Sequence, residues 1–220
     1  MFRLAGMQRV LEPELLDTLP PDNPDAQHSR RDLRLINRIM GNPGWLCRTL
    51  PPLLRPGETA LELGAGDGLL GMRFAALGVR VDALDLGPRP AGWPEASSWH
   101  RADMRTFTGY ARYPLVAGNL VFHHLGAAEL AALGDNIRGS ARAIVACEPA
   151  RRRFSQVLIA LLGPPLGANR VTLHDARVSI AAGFRGEELP LALGLNRGSW
   201  KFRCYSTALG AYRMVATRHS

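Results

Sequence analysis

The stretch Leu61-Glu62-Leu63-Gly64-Ala65-Gly66-Asp67-Gly68 constrains this chain more than any other. A short apolar run ends, alternating glycines follow, and the apolar spacing after them predicts a helix through Leu77. Glycines at such a place let the backbone turn tightly and approach a ligand with no side chain between them. The helix that follows offers unpaired N–H groups to an anionic group. In an open α/β sheet, ligands settle beyond the carboxyl ends of the strands, which is where this loop lies.

From Glu58 onward the chain keeps to that alternation. Apolar runs predict strands over 59–63, 79–86, 98–104, 114–122 and 143–147, with helices over 127–137 and 153–162. Regular alternation of this kind argues for a parallel sheet covered by helices. Two more strand-like runs, 200–207 and 211–217, flank a turn at Leu209-Gly210 and predict an antiparallel hairpin closing the sheet. The expected fold is α/β, a Rossmann-like, seven-stranded, mostly parallel sheet with an antiparallel C-terminal hairpin. A helix-rich stretch, 175–195, precedes the hairpin.

The first fifty-odd residues read as a helical extension. Residues 12–19 suit a short helical turn stopped by Pro20-Pro21. Ser29 with Asp32 resembles a capping box opening a helix through Met40, which Gly41 and the Asn42-Pro43-Gly44 turn would end. A further short helix is expected over 45–54. The organisation is then an extension over 1–57 and one domain over 58–220, with a helical insertion at about 163–195.

The formal charge of +8 invites a nucleic-acid or acidic-membrane partner. Its distribution favours a plainer reading, because Lys201 is the only lysine and arginines are spread along the whole chain. The densest groups are Arg30-Arg31-Arg34-Arg38 and Arg151-Arg152-Arg153. Neither is interleaved with the aromatic side chains of a strand-binding groove, so no nucleic-acid partner is expected. Cys47, Cys147 and Cys204 lie far apart without metal-ligand spacing, and no metal is expected. No apolar signal segment stands at residues 1–10, and the longest apolar stretch, 157–168, is broken by Gly163, Pro164 and Pro165. A cytoplasmic protein with no integral membrane association is expected. The sequence carries no mark of oligomeric state.

Three acidic or polar positions follow the glycine loop at successive strand ends. Asp85 stands about twenty residues on, where an acid accepts hydrogen bonds from both ribose hydroxyls. Asp103-Met104 ends the third strand and offers a polar group for an adenine edge beside an apolar surface for its face. Gly118-Asn119-Leu120 lies in the fourth strand and leads into Val121-Phe122-His123-His124. A nicotinamide enzyme is the competing reading, since Gly66-Asp67-Gly68-Leu69-Leu70-Gly71 matches G-x-G-x-x-G. That register starts two residues late and leaves Gly64 inside the strand.

The segment Glu62-Leu63-Gly64-Ala65-Gly66-Asp67-Gly68 resembles the first motif of class I S-adenosylmethionine-dependent methyltransferases, an acid followed by G-x-G-x-G. The run Asn119-Leu120-Val121-Phe122-His123-His124-Leu125 is similar to the fourth-strand exit of small-molecule methyltransferases of the ubiquinone and menaquinone biosynthesis type. The resemblance covers roughly 58–217. It implies S-adenosylmethionine as cofactor and S-adenosylhomocysteine as product. Glu62, Gly64, Ala65 and Gly66 would then lie at the methionine moiety, and Asp85 with Leu86 at the ribose. Asp103 and Met104 would hold the adenine, and Asn119 and Leu120 the floor beneath the sulfonium. Two further segments, Glu14-Leu15-Leu16-Asp17 through Leu33 and Leu173-His174-Asp175 through Leu189, resemble methyltransferases encoded beside type III polyketide synthases.

Methyl transfer to a hydroxyl needs a base, and histidine is the natural side chain for it. His124 leads as the candidate because it follows the fourth strand, with His123 as its alternative. The pair His174-Asp175 also qualifies, although Asp175 would serve equally as a helix N-cap. Glu148, after the fifth strand, either faces the pocket or caps the next helix. No protein-substrate or nucleobase signature is present. The expected partner is a small apolar acceptor, aromatic or lipid-like, methylated on a phenolic, quinol or polyketide-derived hydroxyl. A non-catalytic binding partner built on the same fold is the alternative, ahead of a nicotinamide oxidoreductase.

Overall fold

The computed structural model describes residues 7–20 and 22–219. Seven strands form one sheet: β1 (Ala60–Leu63), β2 (Val81–Asp85), β3 (Trp99–Arg101), β4 (Leu115–Asn119), β5 (Ala143–Pro149), β6 (Trp200–Ser206) and β7 (Ala211–Arg218). Their order is β3-β2-β1-β4-β5-β7-β6, parallel from β3 through β5, with β7 antiparallel to both β5 and β6. β1 and β5 are buried along their whole length and β4 as far as Gly118, because helices cover both faces of the sheet, so their sequences are mostly apolar, with Glu62, Asn119 and Glu148 as the polar exceptions.

The helices are α1 (Leu15–Thr18), α2 (Pro24–Ile39), α3 (Asn42–Thr49), α4 (Leu69–Ala76), α5 (Ala127–Arg138), α6 (Arg153–Leu162), α7 (Arg170–Ala182) and α8 (Glu188–Ala192). One face of the sheet is sealed around Phe122, Leu133, Phe184 and Tyr212. The other is sealed by Trp45, Leu46, Leu50, Leu70 and Phe74, so α3 and α4 share a core with β1, β4 and β5. β1 runs beside β2 and β4, and Leu63 lies level with Leu84 on one side and Gly118 on the other. The glycine loop therefore emerges between two other strand ends.

Three local expectations are corrected. Helix α2 begins at Pro24, five residues before Ser29, because the Asn23 side chain accepts from the backbone N–H of Asp25 and Ala26 and Pro24 suits the first helical position. Ser29 is buried inside that helix. The Asn42-Pro43-Gly44 run opens α3 instead of merely ending α2: Gly41 turns left-handed at φ 72°, and Pro43 fits the first turn of the new helix. Third, α7 starts at Arg170, where Asn169 caps the N–H of Thr172, so His174 and Asp175 lie within the helix and not at its cap.

Candidate functional site

The glycine loop is held in shape by Asp85. Its Oδ2 accepts from Gly66 N at 2.8 Å and its Oδ1 from Gly87 N at 2.7 Å, so one carboxylate ties the loop after β1 to the turn after β2. Gly64, Gly66 and Gly68 all have positive φ, at 62°, 57° and 73°. At Gly64 a Cβ would also run into Val121 Cγ2, so the loop and the exit of β4 approach as only glycine allows. Leu120 has φ 59°, the one positive-φ residue other than glycine among those described, and its N–H donates to Cys147 O at 2.8 Å. Such a conformation costs of order 1–3 kcal/mol and clusters at functional sites.

Two buried polar atoms beside this loop have no hydrogen-bond partner. They are Glu62 Oε2, in β1, and Asn119 Oδ1, at the end of β4. Burial, reinforced by Asp67 and Asp85, pushes the Glu62 carboxyl up to about 8. Buried acceptors left unpaired are costly, so these two atoms fit a ligand that brings donors or positive charge to this edge. Leu86 is 68% exposed beside Asp85. Met104 is half-buried against the core. Asp103 fits less well than expected: Arg105 donates to both of its oxygens and also reaches Glu129, so the carboxylate is already engaged and held below its ordinary range.

The histidines occupy the next stretch of chain. A 3-10 turn over Phe122–His124 follows β4, and Glu148 governs it. The Glu148 carboxylate is buried and accepts from the N–H of Val121, Phe122 and His123. Its Oε2 also lies 2.6 Å from His123 Nδ1. Glu148 therefore turns inward toward the β4 exit and does not cap α6. His123 Nε2 faces Glu14 Oε1 at 3.7 Å, and Ser179 Oγ donates to that same oxygen. Burial disfavours the charged imidazole, but the flanking carboxylates of Glu148 and Glu14 outweigh it and hold His123 up to about 9. His123 is thus an imidazolium clamped between two glutamates at neutral pH.

His124 stacks on it, ring centroids 4.2 Å apart, and opens to solvent. The surrounding protein and the charge on His123 lower its basicity, leaving a neutral imidazole at the mouth of a cavity of about 330 Å³. Leu11, Pro13, Asp17, Val178 and Ala182 complete much of its lining. The donor atoms of Glu14, His123 and His124 lie within 4.8 Å of one another, the reach of a single cation.

His174 is not brought to this cavity. Its Nδ1 lies 3.0 Å from Asp175 Oδ1, and Asp175, fully buried, accepts from the N–H of Leu15 and Leu16. The pair ties α1 down to α7. Sequence reasoning gave no role to Arg9, which donates to the carbonyls of His123, Leu125 and Ala182 and straps residues 7–14 across the β4 exit. A wider cleft of about 660 Å³ opens along α2 past His28, Arg31 and Arg34, and Arg34 reaches Asp67 of the glycine loop at 3.4 Å.

No protein-family model matches the sequence, and no curated protein matches it. Solved structures match its fold. The plantazolicin methyltransferase BpumL, in complex with a triazolic desmethylPZN analog and SAH, superposes with TM-score 0.69 at 9% identity, covering 93% of each chain. The pyocyanin biosynthetic protein PhzM gives TM-score 0.58 at 22% identity over 90% of this chain and 60% of its own. The magnesium protoporphyrin IX methyltransferase ChlM from Synechocystis PCC 6803, with bound SAH, gives TM-score 0.52 at 16% identity, covering 93% of this chain and 91% of that one. These superpositions show that the chain, with its seven-stranded, mostly parallel sheet and antiparallel closing strand, has the Rossmann-like fold of these methyltransferases.

Proposed function

We propose that this chain transfers a methyl group from S-adenosylmethionine to the hydroxyl of a small, largely apolar acceptor. The observation that carries the reading is the pair of unpartnered buried acceptors, Glu62 Oε2 and Asn119 Oδ1, flanking a glycine loop that Asp85 pins open. Bound there, the cofactor supplies an electrophilic methyl group on a sulfonium. Gly64 and Gly66 would give it backbone access, Glu62 and Asn119 would meet its amino-acid end, and Asp85 its ribose. The bound SAH named for BpumL and ChlM supports the same choice of cofactor.

The cavity under residues 11–17 suits the acceptor. Its volume, about 330 Å³, is at the small end of ligand pockets. Its wall mixes Leu11, Pro13, Val178 and Ala182 with the carboxylates of Glu14 and Asp17. His124 takes the hydroxyl proton, because a base must be neutral before it can accept one and its basicity is lowered. His123, already protonated, positions His124 by stacking. Holding the acceptor's hydroxyl against His124 would supply the rest of the rate.

The decisive experiment is transfer of tritiated methyl from S-adenosylmethionine in the presence of small-molecule extracts. A labelled small molecule is the expected result. Label on protein or RNA would overturn the acceptor assignment. Absence of S-adenosylhomocysteine binding by calorimetry would overturn the whole reading.

A further inference from the structure

Helix α6 points its apolar residues outward. Phe154, Val157, Leu158, Leu161 and Leu162 recur at i, i+3, i+4, i+7 and i+8 and so share one face. All five are exposed, Phe154 and Leu161 at 67% each, and no residue of the helix is buried. The opposite side rests on α7, with Gln156 Nε2 donating to Arg177 O at 3.1 Å. The 3-10 turn Pro164–Leu166 extends the patch, with Leu166 80% exposed. A contiguous apolar surface of this kind on a folded chain marks an interaction site.

The charges around it indicate what the partner is. Between Glu148 and Asp175 the chain has no acidic residue, while Arg151, Arg152, Arg153 and Arg170 all fall in that interval. Arg151 is buried and bound to Met7 O, Gly183 O and Glu188. Arg152, Arg153 and Arg170 are exposed at the two ends of the apolar segment. Docking of a second copy through this face, in either direction, would set arginine-bearing ends against arginine-bearing ends with no acid in the segment to meet them. An anionic lipid surface satisfies both features: apolar side chains enter the boundary between headgroups and acyl chains, and guanidinium groups meet phosphates.

We propose that α6 and the turn after it form a peripheral membrane-binding surface that lies in the headgroup region of an anionic bilayer. No helix among the described residues is long and apolar enough to cross a membrane, so the contact is with one leaflet. This surface stands independently of the methyl-transfer reading. It has a consequence for that reading all the same, because α7, on which α6 rests, supplies Val178 and Ala182 to the acceptor cavity.

The test is co-sedimentation of the full chain with vesicles of phosphatidylcholine alone and of phosphatidylcholine mixed with phosphatidylglycerol. Binding to the mixed vesicles, weakened by added salt, is expected. The double variant Leu158→Glu/Leu161→Glu should lose about tenfold or more of that binding, and Arg152→Glu/Arg153→Glu should weaken it as well. Leu158 and Leu161 are exposed, so the leucine variant should keep the parent's melting temperature, and both variants should keep its S-adenosylhomocysteine affinity; Arg152 also donates to Thr207 O, a bond its replacement removes. The proposal is overturned if the chain ignores the mixed vesicles, binds neutral ones equally well, or binds unchanged in the leucine variant. A dimer that dissociates in the leucine variant would assign the face to a second copy instead.

Discussion

Glu148 Oε2 and His123 Nδ1 lie 2.6 Å apart with both side chains buried, and the same carboxylate holds three backbone N–H groups of the turn that carries the histidines. One acid thus shapes the β4 exit and compensates a buried cation. Breaking such a pair by removing one partner leaves the other charge uncompensated. Glu148→Ala should destabilise the protein by about 3–5 kcal/mol in a urea melt. A loss below about 1 kcal/mol would mean that the turn does not depend on this carboxylate.

Stability should fall as the solution becomes alkaline. Folding raises His123 from 6.5 to about 9, so its contribution is complete below about pH 6.5 and disappears as pH climbs through about 9. Glu62 acts in the same direction at lower pH, since folding raises it from 4.5 to about 8 and the folded state holds that proton longer than the unfolded one. Urea melts at intervals from pH 5 to pH 9 read the slope. Glu62→Gln should flatten its lower part and His123→Gln its upper part; a profile unchanged by both would refute the assignment.

Asp85→Ala removes the acceptor that joins Gly66 to Gly87. Affinity for S-adenosylhomocysteine should drop about tenfold to a hundredfold in calorimetry, the cost of one or two lost hydrogen bonds to a charged group. An unchanged dissociation constant would remove Asp85 from the cofactor site.

His124→Ala should lower turnover by about a hundredfold to ten-thousandfold while leaving S-adenosylhomocysteine affinity intact. Parent activity should survive dialysis against a chelator, because the cation between Glu14 and Glu148 is the His123 imidazolium. Activity lost to chelation and restored by a divalent ion would instead assign Glu14, His123 and His124 as its ligands.

The position of the residues proposed for the cofactor was legible because it is local: Gly64, Gly66, Asp85 and Asn119 each sit at a strand end, and strand ends show in a single sequence as the limit of an apolar run. The acceptor half was not. Glu14 meets Ser179, and Leu15 meets Asp175, across about 160 residues of chain, and no periodicity records such pairings. The sequence leaves Asp175 open between a catalytic partner of His174 and a helix N-cap; Asn169 holds the cap, and Asp175 binds the N–H groups of Leu15 and Leu16. The engagement of Asp103 by Arg105 was hidden for the opposite reason, since an arginine two residues on reads as ordinary surface. Glu148 did carry a signal, an acid ending a fully apolar strand, but not its direction.

The strap at residues 7–14 supplies Glu14; Arg9 holds it through the carbonyls of His123, Leu125 and Ala182, while Arg151 binds Met7 O and Arg177 pairs with Glu12. Contacts to carbonyls are indifferent to which side chains those positions bear. Leu11 and Pro13 can therefore be exchanged for other residues while the arginines keep the strap seated, and none of the strands carrying the glycine loop or Asp85 is touched. On the proposed function, methyl donor and acceptor would be met by separate stretches of chain, so a library confined to these few N-terminal positions should alter acceptor choice and leave S-adenosylhomocysteine affinity unchanged.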